Sequence, residues 1–101
     1  QGLQFMMADM VTEVQAARLL TYDAAEKKDS GENITMAASM AKRYATDTAM
    51  KVTTDAVQLL GGYGYMKEYG LERYMREAKV TQIIEGTSQI QKIIIARELL
   101  K

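Results

Sequence analysis

The sequence contains no cysteine, no histidine, no proline and no tryptophan. Without cysteine and histidine there are no thiolate or imidazole metal ligands, no disulfides, no Ser-His or Cys-His nucleophile pair and no histidine acid-base group. A di-iron carboxylate centre is excluded as well, because it needs Glu-x-x-His pairs, and no metal site is expected. Acid-base chemistry is left to carboxylates, lysines, tyrosines and hydroxyls. The lack of cysteine fits a reducing compartment, and the cytoplasm is the expected location. Charge of one sign is also missing: 13 basic and 13 acidic residues cancel, so no global field attracts nucleic acid or an anionic membrane,. No apolar run approaches the roughly 20 residues of a membrane span, and the start does not read as a signal peptide. Neither nucleic acid nor membrane is an expected partner.

What the chain does hold points to helices. Its 101 residues suit one small domain or a piece of a larger one, and 48% apolar content is enough for a core,. With eight methionines, many alanines and no proline, long uninterrupted helices are favoured,. Leu3, Met6, Met10, Val14 and Ala17 recur at helical spacing, widened by Met7, Leu20 and Ala24, and predict a first helix from Leu3 to about Lys28,. Gly31 supplies its stop. Asn33 or Thr35 can cap a second helix to Leu60, whose stripe of Ala37, Met40, Ala41, Tyr44, Ala45, Thr48, Val52, Ala56 and Leu59 is rich in small side chains,. Gly61 to Gly70 reads as the one real loop. A third helix starts near Leu71, with Leu71, Tyr74, Met75 and Ala78 on its apolar side. Lys79 to Ile84 suits a strand or a helix end equally, being β-branched. From Ser88, the residues Ile90, Ile93, Ile94 and Leu100 restore helical spacing. The fold class is all-α, an antiparallel helical bundle of two long and two shorter helices.

The most concentrated chemistry lies in Gln82 to Gln91 (QIIEGTSQIQ). Glu85 follows an apolar run and precedes a permissive glycine, Gly86, and Ser88 with Gln91 fits a capping box. Glu85 then stands at a helix mouth, where the dipole favours its charge and the isoleucines remove its water. From the residues alone it is either a general base or, more commonly for such a glutamate, a solvated decoration of the helix start. Gln58, Leu59, Leu60, Gly61 and Gly62 can present backbone N–H groups to a phosphate or simply end a helix at glycine. Gly62-Tyr63-Gly64 is not a dinucleotide fingerprint, lacking a preceding strand and the third glycine. Tyr63, Tyr65 and Tyr69 read as loop anchors rather than a stacking platform, and the methionines as core rather than a binding groove.

Three segments taken together resemble the C-terminal helical domain of acyl-CoA dehydrogenases: Asp55 to Gly62 (DAVQLLGG), Tyr69 to Ala78 with Arg73 and Arg76, and Ile84 to Gln91 (IEGTSQIQ) followed by Ala96-Arg97-Glu98. They fall in family order and at family spacing, the likeness spans nearly the whole chain, and it is nearest the bacterial short-chain, butyryl-CoA type. The resemblance implies an FAD-dependent enzyme that desaturates an acyl-CoA thioester between its α and β carbons. Glu85 would be the base for the α proton, with its own N–H polarising the thioester carbonyl. Gly86 would lie against the substrate and Thr87, Ser88 and Gln89 near the FAD. Gln58 to Gly62 would meet the adenosine diphosphate end of an FAD held by a neighbouring subunit. Electron-transferring flavoprotein is the implied acceptor and a homo-oligomer the implied assembly. In the family, isovaleryl and long-chain members carry the base on an earlier helix, so the resemblance with glutamate at position 85 implies the short-chain, medium-chain or short-branched groups. Ile84 departs from the tyrosine of many relatives.

Length departs further. The family has an N-terminal helical domain, a middle β domain and another helix opening the C-terminal domain. Residues 1–101 are therefore expected to form a partial C-terminal domain that lacks its first helix and is inactive alone. The reading of a different class is a non-catalytic helical module that self-associates through its uncovered stripe.

Overall fold

The computed structural model describes residues 1–101. Helix α1 (Gly2–Asp29) follows the apolar spacing of the first segment. It ends in a Schellman turn: Gly31 adopts φ +78°, its N–H donates to the Lys28 carbonyl at 3.1 Å, and the Glu32 N–H donates to Lys27 at 3.0 Å,. Of the two candidate caps for the next helix, Asn33 provides the acceptor, its Oδ1 taking the Thr35 N–H at 2.9 Å,. Helix α2 (Thr35–Leu60) then runs back along α1. Two contacts fix the antiparallel register: Lys51 donates to Glu13 in the middle of the pair, and Leu20 lies with Met36 and Met40 nearer the turn. The bond to Glu13 holds the Lys51 ammonium above its usual pKa range, so the pair favours the docked α1 below that range and is lost as pH rises through the raised value,.

The stretch Gly61 to Gly70 is not an open loop, contrary to the reading of its glycines. It coils into a short helix α3 (Gly62–Tyr65) and a 3-10 turn at Lys67–Tyr69, bracketed by Gly61 at φ +59° and Gly70 at φ +75°. The reason is close packing on α2. Gly64 is buried, and a Cβ there would strike the Val57 carbonyl and lie 2.9 Å from the Val57 Cα. Tyr63 and Tyr69 meet edge to face, ring centroids 5.6 Å apart, and both remain exposed, as does Tyr65. Helix α4 (Leu71–Thr81) follows, then a turn, then helix α5 (Ser88–Leu99). The β-branched residues of Lys79 to Ile84 form the end of α4 and the turn, because the chain offers no second strand to pair with them,.

Every other helix packs on α2: α1 along one side, and α3, α4 and α5 on the rest, with α1 touching no other helix. All nine residues of the α2 small-residue stripe are buried or half-buried, as the spacing requires. The buried set is small or polar: Ala17, Ala41, Ala78 and Gly64 with Ser39, Thr48, Ser88 and Gln91, and no large side chain is fully enclosed. The accessible surface is 7209 Å², against about 5,700 Å² for a folded monomer of this mass. The radius of gyration is 15.7 Å, where about 13 Å is usual at this length. The excess surface is largely apolar, with Phe5, Val11, Leu19 and Tyr22 on α1 all exposed.

Helix α5 turns differently from its expected stripe. Ser88, Gln91, Ile94, Ile95 and Glu98 face the other helices, whereas Ile90, Ile93 and Leu100 face out. Isoleucines lie on both sides of α5, so apolar periodicity does not choose its inward face, and the polar bonds of Ser88 and Gln91 do,.

Replacing Gly64 by alanine is expected to lower stability by about 1–3 kcal/mol through backbone overpacking on Val57. Gly62→Ala, where nothing lies within 4 Å of an added Cβ, is the control and should be neutral or better. Thermal midpoints of the two variants check this, and equal midpoints would contradict it.

Candidate active site

Two side chains from the middle of α2 organise the turn between α4 and α5. Asp47 Oδ1 accepts from Gln82 Nε2 at 2.8 Å and from Ser88 Oγ at 3.0 Å, gathering both ends of the turn onto one carboxylate oxygen. The Ser88 N–H closes the turn on the Gln82 carbonyl at 3.1 Å. Within it, the Lys42 ammonium donates to the Ile84 carbonyl at 2.9 Å and also to the Gly86 carbonyl. Gln91 reaches the same Gly86 carbonyl from α5 at 3.4 Å.

Between the two carbonyls held by Lys42 stands Glu85, the only non-glycine residue at positive φ, with φ +56°. Left-handed backbone costs an ordinary residue roughly 1–2 kcal/mol. Hydrogen bonds to a charged group contribute about 1.5–3 kcal/mol each, so the two from Lys42 outweigh that cost. Gly86 follows at φ +93°, a backbone that selects glycine, whereas an added Cβ would meet only the movable amide end of Gln91, at 2.7 Å from Nε2,.

The helix start is displaced by one residue from the expected capping box. Thr87 is the N-cap of α5, its Oγ1 accepting the Ile90 N–H at 3.2 Å,. Ser88 is instead the first helical residue, and its hydroxyl donates to Asp47. Gln91 is turned to Gly86 rather than back to a cap N–H.

Glu85 emerges as an exposed carboxylate with no ion pair and no hydrogen bond to another residue. Its backbone N–H also has no partner in the chain: the turn bonds run from Ile83 and Ile84 to Val80 and from Ser88 to Gln82. A free donor and a free carboxylate on one residue can engage a carbonyl compound at its oxygen and at a neighbouring C–H.

Thr87, Ser88 and Gln89 share a cleft with Asp47, Lys79, Gln82, Ile83 and Lys92, which Glu85 and Gly86 do not line. Gln89 is exposed and the Thr87 hydroxyl keeps its hydrogen, so both can meet a cofactor. Ser88 is buried with its hydroxyl given to Asp47, which suits holding the turn. Gln58, Leu60, Gly61 and Gly62 are exposed and Leu59 half-buried at the far end of α2. At 1.5 Å per residue, Gln58 lies roughly 16 Å along α2 from Asp47. One chain therefore keeps the two candidate cofactor sets apart.

A family model described as "Acyl-CoA dehydrogenase, C-terminal domain" matches residues 1–100. The chain belongs to the acyl-CoA dehydrogenase family. It is 55% identical over 100 residues to an acyl-CoA dehydrogenase of Bacillus subtilis (strain 168), a match covering 99% of this chain and 26% of that protein. On the butyryl-CoA dehydrogenase of Megasphaera elsdenii it superposes with a TM-score of 0.95 at 51% identity, covering 97% of this chain and 26% of that one. A chain in the structure described as "Electron transferring flavoprotein of Acidaminococcus fermentans: Towards a mechanism of flavin-based electron bifurcation" gives a TM-score of 0.98 at 58% identity, covering 100% and 27%. The chain thus spans about a quarter of the length of these relatives. The all-α architecture is that of the acyl-CoA dehydrogenase C-terminal domain.

Neither Lys42 nor Asp47 was legible as a site residue in the sequence. Asp47→Ala leaves Gln82 and the buried Ser88 without their acceptor, and is expected to cost about 1–3 kcal/mol. Amide exchange should accelerate at residues 82–88 and not in α1. Uniform acceleration through all helices would contradict the local role.

Proposed function

We propose that this chain supplies the catalytic base of an FAD-dependent acyl-CoA dehydrogenase that desaturates a short-chain acyl-CoA. The observation that carries this reading is Glu85: an unpaired carboxylate beside its own unpartnered N–H, held in left-handed backbone by α2. In this reading the Glu85 N–H donates to the thioester oxygen, which makes the α proton acidic enough for a carboxylate to take. The carboxylate receives that proton, and Gly86, having no side chain, lets the thioester lie close. Bound flavin supplies the acceptor for the hydride that leaves the β carbon. Thr87 and Gln89 would meet that flavin in the same subunit, with Ser88 anchoring their turn. Gln58 to Gly62 would meet the adenosine diphosphate end of the flavin of a neighbouring subunit, which accords with their separation along α2. Electron-transferring flavoprotein is the proposed electron acceptor, and residues 1–101 the proposed core of a C-terminal domain completed by other segments.

The exposed apolar faces of α1 and α5 favour a second reading of the isolated chain, self-association of a helical module without catalysis,. A strictly monomeric sedimentation profile at high concentration would oppose it.

In the complete protein, Glu85→Gln is expected to slow acyl-CoA-dependent flavin bleaching by about 10²–10⁴-fold while flavin stoichiometry is unchanged. The isolated chain should carry no stoichiometric flavin and show no bleaching. Bleaching at the unaltered rate in the Gln variant would overturn the assignment of the base.

A further inference from the structure

We propose that Lys42 is a positioning residue for the Glu85 base, an inference that rests on the function proposed above. The ammonium lies 42 and 44 residues away in sequence from the two carbonyls that it binds, those of Ile84 and Gly86. These carbonyls bracket the one residue with a left-handed backbone that is not glycine. Such a conformation persists only where surrounding contacts over-determine it. Three donors converge on the turn carbonyls, two bonds from Lys42 and one from Gln91, and Lys42 alone is charged.

The same contact acts on the chemistry through a single peptide unit. The Ile84 carbonyl and the Glu85 N–H belong to one amide. A cation on that oxygen draws electron density toward it, and the N–H at the other end becomes a stronger donor. This is the N–H assigned to the thioester oxygen. Lys42 makes no ion pair with Glu85, so its charge polarises the amide while the carboxylate stays free to take a proton. One side chain therefore sets both where the base stands and how strongly its partner donor pulls.

The test uses the complete flavoprotein and a thioester with an acidic α proton and no β hydrogen, so that only proton removal is read. Exchange of the α proton into deuterated water is followed by NMR for the unaltered protein and for Lys42→Met, Lys42→Gln and Glu85→Gln, with flavin content and thermal midpoint measured alongside. Lys42→Met is expected to slow exchange by about 10²-fold, the scale of a 1 Å misplacement, with flavin content retained. Lys42→Gln, which keeps a neutral donor of similar length, should fall between Lys42→Met and the unaltered protein. If Lys42→Met loses its flavin or its fold, Lys42→Gln decides alone: slowed exchange at an unchanged midpoint supports positioning, and unaltered exchange overturns it. Exchange lost in Glu85→Gln but unaltered in both Lys42 variants overturns the Lys42 proposal only. Exchange retained in Glu85→Gln overturns the base assignment and this proposal with it.

Discussion

One helix is the common partner of all the others. Because α2 is lined with alanine, threonine and serine along several faces, neighbouring backbones can approach it from more than one side,. No other helix is shared in this way: α1 meets only α2, and the ends of α4 and α5, joined by the Ser88 N–H to the Gln82 carbonyl, are both held by an α2 side chain. Placement of the Glu85 turn is therefore inherited from α2. A disturbance of α2 near Lys42 or Asp47 reaches the turn directly, whereas one in α1 reaches it only through α2.

That architecture leaves little enclosed. The buried side chains are alanines and short or amide polar groups, and the larger apolar residues stay on the surface. Hydrophobic burial scales with area removed from water, at about 25 cal/mol per Å², so exposed leucines, isoleucines and Phe5 contribute little to this fold until something covers them. The polar clamp from Asp47 and Lys42 matters more in such a setting, since packing alone does not choose the inward face of α5.

The helix limits were legible because their signals are local. The α1 stop needed Gly31 beyond a periodic run, and the α2 stripe needed only 3.6-residue spacing. The errors came where distant residues decide. Gly61 to Gly70 looked like a loop because Val57, which demands a Cβ-free neighbour at Gly64, lies on another element. Ser88 looked like a cap because nothing near it in sequence shows that its hydroxyl donates to a carboxylate at position 47. The left-handed conformation of Glu85 has no signal in its own neighbourhood, since Lys42 imposes it from more than 40 residues away. Motif resemblance singled out Glu85 and Gly86 as candidates and gave no sign of Lys42 and Asp47, which hold their turn.

A small-residue helix holds the left-handed turn at Glu85, and in the proposed function that turn presents Glu85 to a thioester. The most direct measurement is a crystal structure of the complete protein with a non-reacting acyl-CoA thioester analogue bound. The account predicts the Glu85 carboxylate at about 3–3.5 Å from the α carbon, its N–H on the thioester oxygen, and Lys42 on the Ile84 and Gly86 carbonyls. A bound thioester with Glu85 turned away from its α carbon would contradict it.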